Sequence, residues 1–159
     1  MARSSGFLAR AGGERVTTPA AVTVARSQVI IDWITSAGWD TTQETGFPLL
    51  PGPEIVTSPD KAVFVTPTGG PGFTTEEAGT DAWSFQARTR GPEDDPLAAE
   101  LAAQLLDYVI LHGPHPAAVD GVPVLNVQRL GSPPSALPLD PSDRRFEYAA
   151  NYIITTGGG

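Results

Sequence analysis

The stretch from Trp83 to His112 limits what this chain can fold into more than any other. In Trp83-Ser84-Phe85-Gln86-Ala87-Arg88-Thr89 large and apolar residues alternate with polar ones, the period of two that marks a half-buried strand. Trp83, Phe85 and Ala87 share one face, and Ser84, Gln86, Arg88 and Arg90 share the other. Gly91-Pro92 breaks the pattern. Asp95 before Pro96 suits an N-cap followed by proline at the first helical position. Glu93, Asp94 and Asp95 place negative charge where a helix dipole favours it. Leu97, Leu101, Leu105 and Tyr108 then recur at helical spacing, with Ala98, Ala102, Leu106 and Val109 alongside, which predicts a helix with a wide apolar face. His112 and Gly113 close it, with Gly113 expected at the usual C′ position. A strand, a sharp turn and an amphipathic helix in succession imply a helix layered on a sheet.

Other segments are read around that unit. Residues 1–17 are small, polar and basic, and are read as a flexible arm. Thr18-Pro19 resembles a second helix start, with Val22, Val29, Ile30, Trp33, Ile34 and Ala37 on one face and Gly38 as the stop. Residues 39–60 hold Pro48, Pro51, Pro53 and Pro59, which exclude regular structure from most of the segment. Lys61–Thr66 reads as a short strand and 68–81 as a Gly- and Pro-containing hairpin loop. Val122–Leu130 reads as a third strand, 131–143 as a loop, and Arg144–Thr156 as the longest strand. Gly157-Gly158-Gly159 is read as a frayed end. The expected fold is α+β: a single domain over 18–156 with a mainly antiparallel four-stranded sheet, two helices and long Pro/Gly-rich loops. Its expected core is Trp33, Trp83, Phe85, Leu101, Leu105 and Tyr152.

A length of 159 residues is enough for one real core. The formal net charge of −8 argues against broad binding to a nucleic-acid backbone, which needs basic surface. Charge is uneven. Arg3, Arg10, Arg15 and Arg26 outnumber Glu14 in the first 26 residues, while 40–80 are acidic apart from Lys61. A basic arm on an acidic body suits contact with acidic neighbours, including other copies of the chain; it also suits a solvated tail. There is no cysteine, hence no disulfide or thiolate chemistry. No apolar run reaches the length of a membrane span, and Phe7-Leu8-Ala9 is too short for a signal-peptide core.

The sequence holds few groups arranged for chemistry. His112, His115 and Asp120 lie around prolines and read as a helix end and a loop rather than a metal site. Asp94 and Asp95 read as capping charges. Gly69-Gly70-Pro71-Gly72 is not followed by Gly-Lys-Ser/Thr, so it is no phosphate cradle. Ser132 and Ser135 lack a Gly-x-Ser-x-Gly context. Trp33, Trp83, Phe85, Tyr148 and Tyr152 without surrounding cations read as core rather than a base-stacking platform. No catalytic residue, metal or cofactor is expected.

Asp81-Ala82-Trp83-Ser84-Phe85-Gln86-Ala87-Arg88-Thr89-Arg90-Gly91 resembles the central strand of tail terminator proteins of tailed bacteriophages, often called minor capsid proteins. The likeness continues through the Ala- and Leu-rich helix Ala98–His112, a strand ending in a Gly-Pro-Pro-like turn (Val124–Pro134) and an aromatic strand with an Asn-Tyr-hydrophobic pattern (Arg145–Ile154), covering roughly residues 18–156. The resemblance implies a virion protein at the tail neck, assembled in the host cytoplasm. Its copies would form a ring, six-membered in that family. The ring would cap the tail tube protein, stop tube growth and meet a head–tail connector or stopper protein, with DNA passing through unbound. A ring needs complementary surfaces rather than catalytic residues. The charged residues expected to serve such contacts are Arg3, Arg10, Arg15, Glu76, Glu77, Asp81, Arg88, Arg90 and Arg144, with Glu76 and Glu77 lining the channel or capping one face. The arm and the loops 39–60 and 131–143 are expected to bridge chains. Another neck ring protein, or an unrelated domain whose Trp and Tyr line a ligand pocket, fits the same composition; a small-molecule hydrolase fits it less well.

Overall fold

A computed structural model describes residues 9–11, 14–16, 24–53, 56–69, 74–75, 80–139 and 142–157. In chain order its elements are β1 (Ala9–Ala11), β2 (Glu14–Val16), α1 (Arg26–Ser36), β3 (Leu49–Pro51), β4 (Ala62–Gly69), β5 (Thr74–Thr75), β6 (Thr80–Glu93), α2 (Pro96–His112), β7 (Ala117–Val119), β8 (Val122–Ala136) and β9 (Arg145–Gly157). β1 and β2 pair with each other as a separate two-stranded sheet. The rest of the expected arm, and the last two glycines of the expected frayed end, lie outside the described residues. The main sheet runs β3-β4-β6-β9-β8-β7, with the short β5 also paired to β6. β3 is parallel to β4 and every other pairing is antiparallel.

This corrects the expected four-stranded, mainly antiparallel sheet. The chain is α+β in general, but its sheet is mixed, six strands wide along its main path, and curled into a half-barrel. The added strands come from two places that looked like loops. Leu49–Pro51 pairs with Val63–Val65 at the sheet edge, where the prolines around it cost few ladder bonds. Ala117–Val119 turns back through Asp120-Gly121 onto Val122–Val124 as a tight hairpin. The strands are also longer than expected. β6 continues through Gly91-Pro92 to Glu93 with a register shift against β9, a bulge that accommodates the extra residue. β8 carries on through the expected loop to Ala136, again across a register shift, between Leu130 and Ser135. Pro133 and Pro134, lacking N–H donors, lie inside this irregular stretch.

Four of the residues expected in the core, Trp33, Trp83, Phe85 and Tyr152, are buried. Trp83, Phe85 and Ala87 of β6 lie with Ala150, Tyr152 and Ile154 of β9 in the core, and Phe85 stacks on Tyr152 with ring centroids 5.2 Å apart. α1 contributes Ile30, Trp33 and Ile34 to the same core, and Trp33 is fully buried. The helix begins at Arg26, after an Ala25 whose backbone is extended (φ −60, ψ 134). The Thr18-Pro19 start lies outside the described residues. Gly38 stops the helix region with φ 101, a left-handed value that a side chain would oppose.

α2 starts as expected, with the Asp95 carboxylate accepting the Ala98 N–H at 3.1 Å and Pro96 in the first turn. Gly113 is extended instead of left-handed (φ −67, ψ 169); the chain there turns so that the Pro114 carbonyl accepts the Trp33 indole N–H at 3.0 Å. The face that α2 buries is the larger surprise. Ala99, Ala102, Ala103, Leu106 and Ile110 face the sheet. Leu101 and Leu105, expected in the core, are 57% and 51% exposed. Small residues explain the choice. A Cβ on Gly91 would stand 2.8 Å from the Ala99 Cβ, so helix and strand meet at a distance that only glycine against alanine permits. Close approach gains dispersion contacts along the whole interface, which a leucine ridge would hold apart.

The other face of the sheet is covered by the loop 56–60. Arg90 is 1% exposed, yet each nitrogen of its guanidinium donates once: to the carbonyls of Val56 (2.7 Å), Pro59 (2.6 Å) and Asp60 (3.0 Å), and the group lies over the Phe64 ring. Arg145 donates to the Thr57 carbonyl (2.7 Å) and to the Asp60 and Asp143 carboxylates. Two arginines from adjacent strands thus fix one loop.

Candidate interaction surface

Leu97, Leu101, Leu105 and Tyr108 stand four, four and three residues apart and so form one stripe along α2. They are 73%, 57%, 51% and 63% exposed. Beside the stripe is a groove of about 400 Å³ between α2 and the segment after α1. Trp39 and Phe47 form one wall and Leu101, Leu105 and Val109 the other. The far wall is built locally: the Trp39 indole donates to the Phe47 carbonyl (2.9 Å), the Asp40 carbonyl accepts the Phe47 N–H (2.9 Å), and Phe47 is 9% exposed. The segment 39–60 is therefore anchored within its own chain, which corrects the expectation that it is too poor in apolar residues to be held locally.

The groove is largely apolar inside, with one carboxylate in its lining. Asp40 lines it, and hydrogen bonds from the Thr45 and Thr42 side chains and the Thr42 N–H lower its pKa to about 2. Asp95 and Glu100 lie on or beside α2, which carries no Lys or Arg. None of the ion pairs among the described residues uses Asp40, Asp95 or Glu100. A second hollow, about 520 Å³, opens over Thr57, Ser58, Asp60, Lys61 and Pro92 and has a mixed polar and apolar lining.

The charged residues singled out in the sequence fall into three groups. Asp81, Arg88, Arg90 and Arg144 are engaged within the chain. Asp81 accepts from Arg26 (3.2 Å), Arg88 pairs with Glu147 (2.5 Å), Arg90 holds the 56–60 loop, and Arg144 pairs with Asp94, raising its own pKa and lowering that of Asp94. Arg10 and Arg15 occupy opposed register positions in the β1–β2 hairpin. Arg3, Glu76 and Glu77 lie outside the described residues.

Two polar details complete the surroundings. Asp107 of α2 accepts from Arg129 of β8 (2.5 Å) and from the Tyr152 hydroxyl of β9 (2.8 Å), tying the helix to both strands; burial and this carboxylate push the Tyr152 pKa up. Asp120 faces Asp32, and their hydrogen bond raises the Asp120 pKa. The His115 Nε2 and Thr156 Oγ1 atoms are buried without a partner. Among the described residues no group of three or more His, Cys, Asp or Glu is placed to hold a metal ion, and no helix is long and apolar enough to cross a membrane.

The signal for the exposed stripe was present in the sequence, since Leu97, Leu101, Leu105 and Tyr108 were recognised as one face. What periodicity could not supply is which of two adjacent apolar stripes meets the sheet. No protein-family model matches the chain, and no curated protein matches it.

Proposed function

We propose that this chain is a structural subunit of a phage neck ring of the tail-terminator type, working through its surfaces without catalysis. The observation that carries the reading is the exposed stripe Leu97-Leu101-Leu105-Tyr108 beside an apolar groove. Large contiguous apolar patches on a folded protein mark surfaces that another molecule covers. The sequence resemblance supplies the kind of assembly: its strand, helix, strand, strand order corresponds to β6, α2, β8 and β9. In this reading copies close into a ring, six in that family. One face of the ring meets the end of the tail tube and the other meets a head–tail connector. DNA passes through the lumen, where an acidic protein of net charge −8 offers little grip to phosphates.

The test is native mass and imaging. Purified protein is examined by native mass spectrometry, then mixed with tail tubes and imaged in negative stain. Rings seated on tube ends, with tubes of uniform length, support the reading. Rings that bind the filled head instead of the tube assign the chain to the connector class. A protein that stays monomeric alone and with tubes removes the reading.

A further inference from the structure

We propose that the apolar groove and stripe of α2 receive the basic N-terminal arm of a second copy of this chain, with Phe7-Leu8 as its apolar anchor. The inference rests on the ring reading above and specifies which segment crosses between neighbours. Charge complementarity is the first argument. From residue 26 onward every Lys and Arg is engaged: Arg26, Arg88, Arg129, Arg144 and Arg145 in ion pairs, Arg90 on three carbonyls, and Lys61 on the Glu44 carbonyl and the Phe47 ring. The one carboxylate in the lining of the groove, Asp40, has no ion pair among the described residues, and neither do Asp95 and Glu100 at the start of α2. The remaining cations of the sequence are Arg3, Arg10 and Arg15, all in the arm, and they flank the one adjacent pair of bulky apolar residues in it, Phe7-Leu8.

The hairpin supplies the second argument. β1 and β2 form a sheet of their own and do not extend the main sheet. A two-stranded hairpin alone is marginal in water and needs a surface to lie on. Its register places Arg10 and Arg15 at opposed positions, so the hairpin brings two of the three arginines of the arm to one level. Reach is no obstacle, since with the hairpin closed between Ala9 and Val16 the chain from Phe7 to Arg26 still extends up to about 45 Å at roughly 3.3 Å per extended residue. The stripe on α2 runs about 16 Å from Leu97 to Tyr108, matching a short extended segment plus its hairpin. An arm passed to the neighbour joins copies around a ring, whereas an arm folded on its own helix would cover the stripe and leave nothing for the next copy.

The absence of cysteine makes the test direct. One preparation carries only Phe7→Cys, a second of different mass carries only Leu105→Cys, and a third carries both. Under mild oxidation the first two, mixed, are expected to give a disulfide-linked dimer containing one chain of each mass. The double variant is expected to give a ladder of linked copies up to the full ring. In parallel, Arg10→Glu with Arg15→Glu is expected to raise the concentration needed for assembly at least tenfold at low salt, with the difference shrinking as salt screens it. An internally linked monomer from the double variant places the arm on its own helix and overturns the proposal. So do rings that form normally yet give no disulfide between positions 7 and 105. Both of those results leave the ring reading standing, whereas wild-type protein that never assembles removes the two together.

Discussion

At the scale of single residues, Arg90 shows how a charge is kept inside a protein without a carboxylate hydrogen-bonded to it. Three backbone carbonyls from one loop take its donors, and the Phe64 ring lies under its plane. Burial lowers its pKa, the adjacent Arg145 adds to that, and the nearby carboxylates of Glu147, Asp143 and Asp60 oppose it. Arg90→Ala would leave three carbonyls facing a void and is expected to destabilise the fold by about 3 kcal/mol or more. Arg90→Lys should recover only part of that loss, because an ammonium cannot span the same three acceptors in a plane. Chemical denaturation of both variants checks this; equal stability of Arg90→Ala and wild type would refute it. Asp40 gives a pH prediction. Its pKa is lowered in the folded chain from 3.8 to about 2, so the folded state favours the ionised form. Its contribution is present above pH 3.8 and is lost as pH falls through about 2. Melting temperatures of wild type and Asp40→Asn should therefore differ near neutral pH and converge in that acid window. A difference that stays constant down to pH 2 would exclude the hydrogen-bonded carboxylate as its source.

At the scale of elements, α2 has two apolar sides with different fates. Leu106 is 1% exposed and Leu105, its neighbour in sequence, is 51% exposed. Leu106→Ala is expected to cost about 2–5 kcal/mol by removing buried methyl groups and leaving a cavity. Leu101→Glu and Leu105→Glu are expected to change monomer stability by no more than about 0.5 kcal/mol while weakening assembly. The pair of measurements, thermal unfolding and native mass, separates the two sides: a large loss of monomer stability in Leu105→Glu would mean the stripe is core after all. Gly91 belongs to the same argument. Gly91→Val would push its side chain into Ala99 and is expected to cost about 1–3 kcal/mol through overpacking.

At the scale of the whole molecule, the sheet is continuous from β3 to β7, and among the described residues its margins include the short strands β3, β5 and β7 and the irregular end of β8. Short margins, bulges and prolines are devices that discourage strand-to-strand association. The apolar stripe on α2 has no such protection. In the proposed ring the contact is therefore a helix face rather than a sheet edge, and Leu101→Glu and Leu105→Glu should weaken assembly where substitutions along β3 would not.

Alternation and helical spacing alone determined β6, α2, β9 and the helical face of α1, because in each case the local period recurs over enough residues to outweigh any competing pattern. The Asp95 cap was legible for the same reason, being a local contact between positions three apart. The exposed stripe was legible only as a set of residues. Leu97, Leu101, Leu105 and Tyr108 could be grouped, but their exposure depended on Ala99 meeting Gly91 and on Ala102 and Ala103 being buried beside it. The strands β3 and β7 were not legible, since three residues carry too little pattern and their pairing energy comes from the strand beside them. Arg88, Arg90 and Asp81 looked like surface charges because nothing in the sequence reveals Glu147, the 56–60 carbonyls or Arg26 as their partners. Local periodicity is a property of neighbouring residues. Which face is covered, and which charge is spent inside the chain, depends on contacts between residues far apart in sequence, and these exist only once the sheet has closed around the helices.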